Sequence, residues 1–352
     1  MGNMKTEIIT INDLHSETAK DALQHAGTIL RHGGLVIFPT ETVYGLGADA
    51  TDAEAACKIY AAKGRPSDNP LIVHIATPEE ATQWADVPPL YWRLAERFMP
   101  GPLTVIMPVK PSIPATVTAN LPTVAIRCPA HPVAHALLVA AGVPIAAPSA
   151  NLSGSPSPTC AAHVVDDMDG RVDMIIDGGN CDIGVESTIV KIEEDDALTL
   201  LRPGGITREM LEEAIGEVKL AGAVLHALKE GETAISPGMK YRHYAPAAPL
   251  YLLEGSAEQA LTYLKQQKGR IGLLCYEEDL SLFKNAFPEA FCFSFGKQED
   301  RDYQAKHLFY LLREMDKLHF DAIYAPLPPL GGIGMALYNR MIRAAAHHII
   351  YL

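Results

Sequence analysis

At 352 residues the chain exceeds the usual size of one domain, so two domains are expected, each long enough to bury its own core. Hydrophobic residues make up 48% and charged residues 20% with no low-complexity tract, which argues against a long disordered arm. The formal net charge of -13 argues against an extended nucleic-acid surface, because such a surface draws on clustered Lys and Arg.

The N-terminal stretch MGNMKTEIITINDLHSETAK has no apolar core behind a basic flank, and no later stretch approaches the roughly 20 apolar residues of a membrane span. A cytoplasmic protein with no membrane partner is expected. Six scattered cysteines without a CxxC pair suggest reduced thiols rather than a zinc knuckle or a disulfide framework.

In chain order, Ser16 to Arg31 has helical spacing and stops at Gly33-Gly34, and LVIF at 35–38 then reads as a buried strand. Asp52 can cap a helix through Ala62 that ends at Gly64, before an apolar run from Leu71 to Ile75. Helices over 90–98, 132–141 and 158–166 separate apolar segments at 103–109, 124–127, 143–147, 172–176 and 188–192. The class is therefore α/β. Strands at 186–192 and 198–201 follow each other without a helix, so the sheet is expected to be mixed. After a helix over 207–215, a weakly patterned stretch and SPGMKYRHYAP place a linker at 217–248 between a domain over 1–216 and one over 249–352. In the latter, LYLL, IGLLCY, FCFSF and AIYAP alternate with helices over 256–267, 279–287 and 302–318, the pattern of a smaller Rossmann-like α/β domain.

Several segments suit polar ligands. PTETVYGLGADA at 39–50 places Thr40 and Thr42 after a buried strand, where short hydroxyls can grip a small substrate. Lys63 and Arg65, with Asn69, end a helix ahead of a strand that closes on His74, and two fixed cations suit a polyphosphate. Arg127 ends TVAIR, where a guanidinium can hold a carboxylate with two parallel hydrogen bonds. Ser149, Asn151 and Ser157 occupy a hydroxyl-rich loop beside a strand end, suited to phosphate and ribose. Taken singly, each also fits a bland reading as a turn, a helix-dipole partner or a solvated loop.

In order along the chain stand PTETVYGLG, KGRPSDNPLIVH, PGPLTVI, VAIRCPAHP, PSANLSG, GVESTIV and LLRPGGIT, followed by SPGMKYRHYAP and GGIGMALYNRMIRAA. This set resembles the YrdC-type threonylcarbamoyl-AMP synthases, in their long two-domain form. The resemblance implies a YrdC-like mixed, twisted sheet with helices, a Rossmann-like C-terminal domain, and a linker crossing the active site. It implies synthesis of threonylcarbamoyl-AMP and pyrophosphate from L-threonine, bicarbonate and ATP, with Mg²⁺ accompanying ATP. The product would pass to downstream tRNA-threonylcarbamoyl transferase machinery, which modifies the adenosine next to the anticodon.

Carried over position by position, the resemblance makes Lys63 and Arg65 catalytic phosphate ligands. It puts Asn69, Thr123, Ser149, Asn151, Ser157, Arg202 and Tyr241 with them around ATP, and Thr40, Thr42, His74, Arg127 and Ser187 around threonine. No covalent intermediate is needed, in keeping with the lack of a GxSxG motif. His131 and His135 lie one helical turn apart without a third ligand at suggestive spacing, so no metal site is expected. Gly331-Gly332-Ile333-Gly334 resembles a Rossmann turn, but no acidic residue follows at the dinucleotide spacing before Leu352. Two alternatives are a carbamoyl-adenylate-forming enzyme for another acceptor and an RNA-binding, translation-associated module, the latter opposed by the charge balance.

Overall fold

The structure, a computed structural model, describes residues 5–226, 243–288 and 291–352. The chain forms two compact units, Met1–Ser153 with Ser157–Lys240 and Gly154–Pro156 with Tyr241–Leu352.

In the first unit the strands are β1 (Glu7–Thr10), β2 (Val36–Phe38), β3 (Gly45–Asp49), β4 (Ile72–His74), β5 (Leu103–Pro108), β6 (Thr123–Arg127), β7 (Ile145–Ala147), β8 (Met174–Asp177), β9 (Thr188–Ile192), β10 (Leu198–Arg202) and β11 (Val218–Leu220). They form one sheet in the order β1-β8-β2-β3-β7-β4-β6-β5-β9-β10-β11. Parallel pairs such as β4/β6 and β5/β9 alternate with antiparallel pairs such as β5/β6 and β9/β10, so the sheet is mixed as expected. The helices are α1 (Glu17–Arg31), α2 (Ala53–Lys63), α3 (Ala81–Trp84), α4 (Pro89–Phe98), α5 (Ala115–Thr118), α6 (Pro132–Ala141), α7 (Ala161–Met168) and α8 (Arg208–Ile215). Ser16 caps α1 by accepting from the Ala19 N–H, and Asp52 caps α2 through the N–H groups of Glu54 and Ala55. One core unites α1 (Leu23, Leu30), α6 (Leu137, Leu138), β2 (Phe38) and β8 (Ile176). Burying each such side chain contributes about 1.5–3 kcal/mol.

Three strands depart from the sequence reading. β1 has an exposed, non-alternating face and gains its place only by parallel pairing with β8. β11 falls inside the stretch read as linker from 217; its three residues carry no pattern of their own and are fixed by β10. β3 lies in the segment read as a strand-to-turn connection, because Gly45 and Gly47 lower strand propensity. All five β3 residues are nonetheless buried. A Cβ at Gly47 would stand 2.7 Å from Ile145 and 2.8 Å from Phe38, so close packing requires the glycine. The helix expected over 158–166 begins later, at Ala161.

In the second unit, β12 (Leu250–Glu254), α9 (Ala257–Leu264), β13 (Ile271–Cys275), α10 (Leu280–Lys284), β14 (Cys292–Ser294), α11 (Arg301–Asp316), β15 (Ala322–Pro326), α12 (Gly334–Ala344) and β16 (Ile349–Tyr351) follow in turn. The strands form a parallel sheet in the order β14-β13-β15-β12-β16, as a Rossmann-like domain requires. Gly331-Gly332-Ile333-Gly334 leads into α12, and a Cβ on Gly334 would lie 2.5 Å from the Pro329 carbonyl oxygen, so that glycine serves close packing.

Candidate active site

Strand register assembles one half of the site. His74 and Arg127 end the parallel neighbours β4 and β6 opposite each other, and Arg127 faces Thr104 of β5 across an antiparallel pair. Ser187 directly precedes β9, which pairs with β5. Its hydroxyl lies 2.8 Å from that of Thr104 and accepts a 3.1 Å bond from Arg202 Nη2, while Arg202 Nε donates to the Ser187 carbonyl. Ser187 and Arg202, which the resemblance divides between threonine and ATP, are thus bonded to each other. Thr40 and Thr42 sit 2.8 Å apart, hydroxyl to hydroxyl, in the turn between β2 and β3.

The charge in this half is set by a residue outside the expected list. Glu41 Oε1 accepts from Arg127 Nη2 at 2.7 Å, and Oε2 accepts from the Ala130 N–H. Both side chains are buried, and Arg127 Nε has no hydrogen-bond partner. A buried N–H without a partner is costly unless a ligand supplies one. Burial first, and then the Arg127 charge, pull His74 down to about 3, so its imidazole is neutral at ordinary pH.

The other half gathers at the end of α2. Gly64 takes a left-handed conformation (φ 63) and turns the chain sharply between Lys63 and Arg65. The Lys63 ammonium donates to the carbonyls of Ser149 and Asn151 and to the Asn151 side-chain oxygen, while Ser149 Oγ donates to that same oxygen. An ammonium has three N–H donors, so Lys63 as placed holds the 149–151 turn; an entering phosphate must displace a bond. Arg65 Nη2 donates to the Asn69 carbonyl at 2.7 Å, and its guanidinium lies over the Tyr60 ring. Asn69 is fully buried, yet neither atom of its side-chain amide has a partner, which is a strong sign of a polar ligand. Ser157 donates to Glu186, the neighbour of Ser187.

Not every expected residue joins these clusters. Thr123 begins β6 and Arg127 ends it, about 13 Å apart at the usual strand rise. Residues 227–242, which include Tyr241 and half of the 217–248 segment expected to cross the site, lie outside the described residues. His131 serves as the N-cap of α6, accepting from the Val133 N–H. Among the described residues no group of three His, Cys, Asp or Glu is placed to hold a metal.

The Sua5_yciO_yrdC family model, described as "Telomere recombination", matches residues 28–204. The Sua5_C model, described as "Threonylcarbamoyl-AMP synthase, C-terminal domain", matches residues 206–346. The threonylcarbamoyl-AMP synthase of Bacillus subtilis is 47% identical over 93% of this chain and 94% of that protein. The chain belongs to the threonylcarbamoyl-AMP synthase family. The Pyrococcus abyssi member is 43% identical over 92% of this chain and 94% of its own. A crystal structure of P. abyssi Sua5 complexed with L-threonine matches with a TM-score of 0.89 at 40% identity, covering 99% of this chain and 100% of that one.

In this synthase-family chain, sequence reasoning overlooked three residues that tie the site together: Glu41, Thr104 and Glu186. Each lies inside a motif already singled out, PTETVYGLG, PGPLTVI or GVESTIV. For Glu41 and Glu186 a carboxylate within an otherwise buried motif was the available signal, since a charge enters a core only when paired, whereas Thr104 offered no such signal.

Proposed function

We infer that the chain is an L-threonylcarbamoyladenylate synthase. The observation that carries this is the end-to-end likeness, at 43–47% identity, to proteins named threonylcarbamoyl-AMP synthase. The local geometry fits the chemistry. Arg127, with its partnerless Nε beside neutral His74 and the hydroxyls of Thr40, Thr42 and Ser187, suits a small hydroxylated amino acid. Lys63, Arg65 and the buried Asn69 amide suit a nucleotide.

In the reaction the threonine amine adds to bicarbonate with loss of water, giving a carbamate. A carbamate oxygen then forms a bond to the α-phosphorus of ATP as the bond to pyrophosphate breaks. The charges of Lys63 and Arg65 stabilise phosphate oxygens as that bond shifts, and the two halves of the site bring the reactants together. The carboxylates within the site, Glu41 and Glu186, already bind Arg127 and Ser157. Mg²⁺ therefore enters with ATP as part of the substrate, neutralising phosphate charge and keeping water ligands. The product supplies the tRNA-threonylcarbamoyl transferase machinery of the cytoplasm; no helix among the described residues is long and apolar enough to cross a membrane.

The test is to incubate the protein with ATP, Mg²⁺, labelled bicarbonate and each amino acid in turn, and to identify the nucleotide by mass spectrometry. Threonine-dependent threonylcarbamoyl-AMP is expected. Pyrophosphate release from carbamoyl phosphate and ATP without threonine would instead assign a carbamoyl-adenylate for another acceptor.

A further inference from the structure

The second unit contains a cavity that none of this chemistry uses. On one face of its sheet, Leu253, Leu273 and Tyr324 share a core with α9 and α10. α12 packs against β12, and α11 packs against α12. Given right-handed crossovers, β12 leads through α9 towards β13, and β15 leads through α12 towards β16 on the opposite face. The adjacent strands β12 and β15 thus send their chains to opposite sides. Open parallel sheets hold ligands at such a point, outside the carboxyl ends of the strands.

A cavity of about 310 Å³ opens at this place, lined by the ends of β12, β13 and β15. That volume is at the lower end of small-molecule sites. Leu264, Leu273 and Phe283 form an apolar wall, while Ser256, Tyr276, Asp279 and Gln298, with Glu258 at the exposed rim, supply polar groups. No Lys, Arg or His is among the lining residues, and neither Glu258 nor Asp279 is in an ion pair among the described residues. Partial burial, and then the charges of Glu278 and Glu258, hold the Asp279 carboxyl above its ordinary range. Glu278 is already engaged by the Gln298 N–H.

This lining discriminates among ligands. Two carboxylates without a cation repel a phosphate or a carboxylate, and the apolar wall of Leu264, Leu273 and Phe283 beside them favours a cation that carries an apolar body over a fully hydrated ion. An ammonium group on an apolar body satisfies both parts. We propose that the cavity binds a small organic cation, with the ammonium at Glu258 and Asp279 and the apolar body against Leu264, Leu273 and Phe283.

The experiment titrates the full-length, leucine-methyl-labelled chain at neutral pH with three probes of similar shape: phenethylamine, phenethyl alcohol and hydrocinnamate. Phenethylamine should move the methyl resonances of Leu253, Leu264 and Leu273 saturably in the millimolar range. The alcohol should bind roughly tenfold more weakly and the carboxylate not at all. In the double variant Glu258→Gln and Asp279→Asn, amine affinity should fall to that of the alcohol, whose own binding stays unchanged and reports an intact cavity. No saturable shift with the amine, equal binding of all three probes, or an amine affinity unmoved by the double substitution would each overturn the proposal.

Discussion

Replacing Arg127 by alanine should do two separable things. It removes the group proposed to hold the threonine carboxylate, and it strands the Glu41 carboxylate, which is 8% exposed and bonded to Arg127 at 2.7 Å. Breaking a buried ion pair from one side costs about 3–5 kcal/mol. In a unit of this size that lowers the melting temperature by on the order of 10 °C. Losing charge-assisted hydrogen bonds to a substrate carboxylate costs about 1.5–3 kcal/mol, or roughly ten- to hundredfold in threonine KM. The double variant Arg127→Ala, Glu41→Gln removes the stranded charge. Its thermal stability should recover by more than half while its threonine KM stays high. Calorimetry and pyrophosphate-release kinetics on wild type, both single variants and the double measure these effects independently. Recovery of threonine KM together with stability would refute the reasoning, because Arg127 would then matter only as the partner of Glu41. A rise in ATP KM instead would show that the two halves of the site are exchanged.

Other outcomes follow from the same geometry. Arg65→Ala should cut adenylate formation by about a hundredfold or more with the melting temperature little changed, since its charge acts on the transferring phosphate; near wild-type turnover would remove it from the catalytic set. Asn69→Leu replaces a buried amide that has no partner, so it should leave stability unchanged or raise it by about 1 kcal/mol while raising ATP KM at least roughly tenfold, and a clear loss of stability would contradict this. His74 is held near 3 rather than its usual 6.5, so the folded chain binds fewer protons there than the unfolded chain between these values. The stability that neutral His74 confers is complete above about pH 6.5 and is lost as pH falls towards 3. From pH 7 to 5 the titrating interval is 6.5 minus 5, so about 2 kcal/mol should disappear. Urea unfolding of His74→Gln should show a pH dependence shallower by that amount, whereas an unchanged slope would place the titration elsewhere.

Local chemistry made much of the chain legible. Ser16, Asp52 and Gly64 mark helix ends because caps satisfy the backbone groups beside them, and apolar runs such as TVAIR read as strands at their own positions. The motifs likewise nominated Lys63, Arg65, His74 and Arg127, each of which is buried in the first unit. Tertiary structure decided what these residues meet. Glu41 and Arg127 are separated by 86 positions, and Lys63 and Asn151 by 88, and no local periodicity encodes such pairings. The parallel pairing of β4 with β6 places His74 beside Arg127, and burial together with that proximity makes the imidazole neutral. β11 and the glycine-containing β3 exist because neighbouring strands satisfy their backbone groups, a long-range effect that overrides weak local propensity.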